Sequence, residues 1–227
     1  MTSKRLTFGK DPDSSNEFKT KYSKTISIVV GNNYWDPFNV HESLLVTSSE
    51  VFKAALSADW KENRLKVIHL SCHRPVNFQI YLDWLYGRGH VNIEVLVMES
   101  LADSGTTAPG EKDPWVVDQL CELWILGDYL LDNEFKNAVI ESILCLVATD
   151  SRMILPDTVE RIVDGTLTDS GLYRWLLDRL ASVLTPNDLE KIEYILPQSV
   201  LLPLLKKCQK YHEQSRENTA ETERDEC

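Results

Sequence analysis

His69, Cys72 and His73 crowd into one short stretch, and two imidazoles with a thiol are the beginnings of a metal site. Zinc takes about four convergent ligands, and no second Cys/His pair completes the set. The stretch is therefore expected to hold no metal, with His69 on a strand and Cys72 and His73 in the following turn. His41-Glu42 lacks the second histidine of a zincin helix, so His41 reads as a structural residue. Gly87-x-Gly89 has no third glycine and follows no strand, which excludes a phosphate or dinucleotide loop. No Gly-x-Ser-x-Gly elbow occurs. Asp83, Asp118 and Asp128 are isolated acids and read as solvated helix faces or local caps. Trp84, Trp115, Trp124 and Trp175 read as core. No catalytic, cofactor or metal set emerges, and the chain is expected not to be an enzyme.

The bulk numbers point the same way. In 227 residues, 43% are hydrophobic and 26% charged, enough for a buried core in a globular protein. Net charge is −11, from 24 Lys and Arg against 35 Asp and Glu, which disfavours binding the nucleic-acid backbone. No apolar run reaches the roughly 18 residues of a membrane span, and the N-terminus lacks the apolar core of a secretory signal. Five scattered cysteines, no Cys-x-x-Cys pair and no Asn-x-Ser/Thr acceptor fit a reducing compartment, so a cytoplasmic or nuclear protein is expected.

The elements follow from periodicity. Residues 1–24 are polar and are expected to be disordered. Thr25–Val30 alternates as a half-buried strand, Gly31-Asn32-Asn33 turns, and Phe38-Asn39-Val40 returns as a second strand. A short helix over His41–Val46 carries Leu44 and Leu45; Thr47 and Glu50 are spaced as a capping box, predicting a second helix with Val51, Phe52, Ala55 and Leu56 buried. Lys66–Leu70 alternates as a third strand. From Pro75, the residues Phe78, Tyr81, Leu82 and Leu85 predict a helix that ends at Gly87-Arg88-Gly89. Val91–Val97 reads as a short extended piece, and 100–114 as a mobile loop.

Trp115–Leu131 reads as a helix with Val117, Leu120, Cys121, Trp124 and Ile125 on one side. After Asp132-Asn133, a second helix carries Phe135, Val139, Ile143 and Leu146, and the two should form an antiparallel hairpin. Residues 149–212 read as an all-helical extension, with Pro156, Asp169, Pro186 and Pro197 near helix starts. Leu172, Trp175, Leu176, Leu180 and Leu184 form one apolar face, and Leu201, Leu202, Leu204 and Leu205 another, with Pro203 expected to kink the last helix. Lys206, Lys207 and Lys210 suit a helix C-terminus. The acidic tail, 213–227, is expected to be disordered.

Phe38-x-Val-His41, Leu44-Leu45, Ser49-x-x-Phe52-x-x-Ala55-Leu56, Trp60-Lys61-Glu62, Ile68-x-Leu70, Phe78, Trp84-Leu85-Tyr86-Gly87, Leu126-Gly127-Asp128-Tyr129-Leu130 and Phe135-Lys136-Asn137 occur in order. Together they resemble a BTB/POZ domain over 25–148, of the type found in filamentous fungi. Leu155–Val159 and Thr168–Leu172 resemble the helical extension of that type. The resemblance implies an α+β, mostly helical fold: a small three-stranded sheet flanked by a helical cluster, followed by the all-helical C-terminal extension.

It also implies a non-catalytic protein–protein interaction module, an adaptor or scaffold without cofactor, nucleic acid or membrane partner. Family members self-associate, and the apolar first-helix surface (Leu44, Leu45, Phe52) is the candidate dimer or core-helix surface. A subset are substrate adaptors of cullin–RING ubiquitin ligases and carry a hydrophobic-x-Glu motif in the loop after the helix that ends here near Leu56. Trp60 and Glu62 occupy that place and are the candidate cullin contact. One alternative, a transcription-associated BTB dimer binding other regulators without direct DNA contact, is weakened because Thr25 and Glu42 stand where such dimers carry a pocket Asp and Arg; another, an enzyme using His69, Cys72 or His73, has no positive support in the sequence.

Overall fold

Alternation of apolar and polar residues builds the sheet. Thr25–Val30 (β1) is its central strand, between Phe38–His41 (β2) and Val67–Leu70 (β3). β1 runs antiparallel to β2, with Ile26 opposite Val40, and parallel to β3, with Ile28 opposite Ile68. Ile26, Ile28, Val30, Val40, Ile68 and Leu70 are buried on one face. On the other, the cross-strand neighbours Ser27 and Asn39 are joined by a hydrogen bond of 2.9 Å donated by the serine hydroxyl. The structure is a computed structural model and describes residues 24–32, 36–57, 66–103, 115–149, 154, 156–183 and 196–210. Residues 1–23, residues 104–114, Leu184, Pro186 and residues 213–227 lie outside the described residues.

Two helices follow β2: Glu42–Ser48 (α1) and Glu50–Ala55 (α2). The cap of α2 is not the predicted Thr47. Ser49, extended at φ −121° and ψ 123°, accepts the Phe52 N–H at 3.2 Å, while Thr47 sits inside α1 and donates to the Ser43 carbonyl at 2.6 Å. The described residues divide into two compact units, one up to Pro75 and one from Val76 onward.

The second unit is helical: Pro75–Tyr86 (α3), Ile93–Asp103 (α4), Trp115–Tyr129 (α5), Asn133–Thr149 (α6), Pro156–Gly165 (α7), Gly171–Val183 (α8) and residues 198–210 (α9). α4 corrects two expectations, the extended piece over Val91–Val97 and a loop beginning at residue 100. Its β-branched residues alternate like a strand, but Asn92 caps it by accepting the Glu94 N–H at 2.8 Å. Burial of Ile93, Val97 and Leu101 at four-residue intervals then makes helix the better conformation.

α5 and α6 form the predicted hairpin, the most extensive helix–helix contact in the unit. Phe135, Val139 and Ile143 of α6 are fully buried. α5 is buried on nearly all sides rather than on one face, Val116, Leu123 and Leu126 joining Leu120, Cys121 and Trp124. Trp115, at its start, is exposed instead of core. The turn between them has Leu131 at φ 52°, with the Asp132 N–H bonded to the Gly127 carbonyl at 3.0 Å, a Schellman ending.

α8 buries Leu172, Trp175, Leu176 and Leu180 as predicted. α9 departs from prediction twice. Val200 and Leu204 are buried while Leu202 and Leu205 face outward, because four leucines within five residues cannot share one side of a helix. The helix also continues through Pro203. Proline leaves the carbonyl four residues earlier, on Ser199, without its helical donor. The Tyr173 hydroxyl of α8 donates to that carbonyl at 3.2 Å and takes the missing donor's place.

Candidate interaction surfaces

The expected contact residues divide by position. Leu45 and Phe52 are fully buried and belong to the core, whereas Leu44 is half-buried. Trp60 and Glu62 lie outside the described residues, in the stretch 58–65 that follows α2. Thr25 is exposed at the start of β1, and Glu42 is ion-paired with Lys66 at 3.3 Å. Positions 25 and 42 thus bring no Asp–Arg pair together.

His69 is exposed on β3, and Cys72 is exposed in the turn after it. His73 is half-buried, and burial holds its imidazole below the ordinary value of 6.5. Among the described residues no three His, Cys, Asp or Glu side chains are placed to share a metal ion.

A different set converges inside the second unit, on α5. Asp118 and Glu122, one helical turn apart, are both buried. Arg161 of α7 reaches between them, contacting Glu122 Oε1 and lying 3.5 Å from Asp118 Oδ2. Thr158, one turn before Arg161, donates to Asp118 Oδ1 at 2.8 Å. From α3, Asn77 donates to Glu122 Oε2 at 2.8 Å and accepts from Gln119 at 3.2 Å. Three helices are thus joined through buried polar groups whose hydrogen bonds are satisfied within the set. Close approach makes this possible: a Cβ on Gly165 at the end of α7 would come within 2.8 Å of Ile125 on α5. Beside the ion pairs, Cys121 is fully buried, and burial pushes its thiol well above the usual range, with the Asp118 charge adding to the shift.

A second buried bond ties α3 to the α5–α6 turn. The Tyr81 hydroxyl donates to Asp132 Oδ2 at 3.0 Å, and Asp132 Oδ1 caps α6 by accepting the Phe135 N–H at 3.0 Å. Burial raises both groups, the phenol and the carboxyl, above their ordinary values. Tyr81, Trp84 and Phe135 pack around this bond with ring centroids 4.9 to 6.5 Å apart.

Sheet, helix order and placement of the apolar anchors can now be compared with known families. Residues 16–104 match the family model of the BTB/POZ domain. The chain contains a BTB/POZ domain. No curated protein matches the chain. The BTB/POZ match begins in the first unit and ends at the close of α4, in the second. A BTB/POZ domain is a protein-interaction domain, so surfaces that hold other proteins are the sites to seek.

The polar set on α5 and α7 lies beyond the matched residues, and Asp118, expected on a solvated helix face or as a local cap, is buried within it. One signal was present: Asp118, Gln119 and Glu122 interrupt an otherwise apolar run from Trp115 to Leu126. Asp128, also read as isolated, pairs with Lys136 at 2.8 Å across the α5–α6 hairpin. In the second unit, an open cleft of about 330 Å³ is lined by Trp84 and Gly89, by Asn92 and Glu94 at the start of α4, and by Glu141 and Cys145 of α6. Among the described residues no helix is long and apolar enough to cross a membrane.

Proposed function

We propose that the protein is a non-catalytic BTB/POZ adaptor that self-associates and recruits protein partners, among them a cullin scaffold through Trp60 and Glu62. The observation that supports this reading is the BTB/POZ match over 16–104, a range that includes Trp60-Lys61-Glu62, the residues that resemble the family's hydrophobic-x-Glu motif. A tryptophan at an interface is an anchor of the kind whose truncation costs about 2 kcal/mol or more, and a carboxylate beside it adds a charge-assisted contact at the rim.

Mixing the full chain with the N-terminal region of a BTB-binding cullin tests it by calorimetry. A complex is expected, weakened at least about 30-fold in the Trp60→Ala/Glu62→Ala variant, the equivalent of about 2 kcal/mol. Absence of a complex, or one indifferent to both substitutions, removes the ligase reading and leaves self-association and other partners standing.

A further inference from the structure

The wall of the cleft in the second unit leaves a specific chemical demand unmet. The cleft holds about 330 Å³, near the small end of ligand sites, which run from roughly 300 to 1,000 Å³. Trp84, near the end of α3, forms part of the wall and is only 6% exposed. Its indole Nε1 is buried and has no hydrogen-bond partner. A buried donor without an acceptor is costly and uncommon. The neighbouring Tyr81 hydroxyl, by contrast, is satisfied by Asp132. Gly89, also in the wall, packs against the edge of the indole that carries the N–H. A Cβ on it would stand 3.5 Å from Trp84 Cζ2 and 3.8 Å from Nε1.

Around that single donor, the wall offers acceptors. Glu94 at the start of α4 and Glu141 on α6 bring two carboxylates from two helices. The wall contains no lysine or arginine, and neither carboxylate has an ion pair among the described residues. Ser142 donates its hydroxyl proton to the Ala138 carbonyl at 3.0 Å, within α6, so toward the cleft its oxygen can only accept. The complement of this wall is a cation with several donors, joined to one carbonyl. A metal ion does not fit. Among the described residues no three His, Cys, Asp or Glu side chains are placed to share one, and a hard cation takes about six oxygens.

We propose that this cleft receives an arginine-bearing segment of a partner protein. The guanidinium lies between Glu94 and Glu141, and a main-chain carbonyl beside it accepts the Trp84 Nε1 proton. A planar fork of five donors can serve two carboxylates at once, which a lysine ammonium does less well. The Nε1 atom is covered in the empty cleft, so the carbonyl reaches it by displacing Gly89. Gly89 has no side chain to hold it in place, and at φ 71° it belongs to the turn that follows α3. An open cleft of this size suits one long side chain with its flanking main chain. The net charge of −11 favours encounter with basic segments over acidic ones. The proposal rests on the adaptor reading in taking the ligand to be part of a protein. It shares no residue with Trp60 and Glu62, so either can fail while the other stands.

Titration of the nitrogen-15-labelled full chain with the capped pentapeptide acetyl-GARAG-amide, at constant ionic strength, tests it by nuclear magnetic resonance. The Trp84 indole N–H resonance should move downfield and saturate, with a dissociation constant on the order of 1 mM for so small a probe. The same peptide with citrulline in place of arginine keeps the shape and loses the charge, and should bind at least about fivefold more weakly. Glu94→Gln/Glu141→Gln should abolish that preference, with circular dichroism confirming the fold. Glu99→Gln, on the exposed side of α4, should leave the preference intact and so separates the cleft from the general acidity of the chain. No saturable shift, equal binding of the citrulline peptide, or a preference that survives Glu94→Gln/Glu141→Gln overturns the proposal. So does a Trp84 indole resonance that stays still while its neighbours in the wall move. Spermidine bound as tightly as the arginine peptide, with the same dependence on Glu94 and Glu141, would assign the cleft to a small polycation and overturn it as well. None of these outcomes bears on cullin binding.

Discussion

Replacing Arg161 by Met keeps most of the aliphatic stem and removes the charge that sits between Asp118 and Glu122. Two unit charges 3.5 Å apart attract by about 5 kcal/mol at an effective dielectric constant of 20, so the gross term is large for the Asp118 pair alone. Offsets are visible in the geometry. Thr158 and Asn77 still donate to the two carboxylates after the change, and the Arg161 side chain is 38% exposed, so water enters the vacated space. Breaking a fully buried pair costs about 3–5 kcal/mol and an exposed one about 0–1. The half-open guanidinium between two buried acids falls between, and Arg161→Met should destabilise the protein by about 2–3 kcal/mol. Urea unfolding followed by circular dichroism measures this. Mass-resolved alkylation adds a local readout, because the buried Cys121 thiol beside the pair should become reactive faster in the variant than in the wild type. Combining Arg161→Met with Asp118→Asn should recover about half of the loss, since one unpaired charge remains instead of two. A loss under about 0.5 kcal/mol, the size of an exposed ion pair, with Cys121 labelling unchanged, would refute the reasoning.

Other outcomes follow from single contacts. His73 has a folded value below its ordinary 6.5, so the unfolded chain binds more protons as pH falls through that value. Stability should therefore be full above pH 6.5 and decline below it, and His73→Gln should flatten the decline in pH-dependent urea melts. Tyr173→Phe should cost about 1 kcal/mol by leaving the Ser199 carbonyl without its donor. The same change should cost less in a Pro203→Ala background, where the backbone N–H of residue 203 supplies the bond. A strictly additive double-mutant cycle would refute that coupling.

The sheet was legible because strand periodicity was strong and turn residues punctuated it: β1 and β3 lie where Ile26 and Ile28, and Ile68 and Leu70, alternate with polar neighbours, and β2 lies where Phe38-Asn39-Val40 does. α3 and the α5–α6 hairpin were legible for the corresponding helical reason. α4 was not, because Val91-Asn92-Ile93-Glu94-Val95 alternates like a strand, and only the tertiary burial of Ile93, Val97 and Leu101 makes it a helix. Pro203 misled because the cost of a proline depends on whether a neighbour supplies the lost donor, and Tyr173 is 30 residues away in sequence. The Asp118–Glu122–Arg161 set was hidden for a related reason. Acids at i and i+4 look the same on a solvated helix and a buried one, and the partner that decides between them comes from another helix.

The clasp between α5 and α7 has an evolutionary consequence. Each carboxylate is costlier at its depth without the guanidinium, and the guanidinium has little reason to be there without them. Chains that exchange Arg161 for an apolar residue should in the same lineage have shed a charge at 118 or 122, so these positions should change in concert while the surrounding leucines drift independently. A helical tail transplanted from a distant relative onto this hairpin would then fail wherever its counterpart of Arg161 was missing, however well its apolar face fitted.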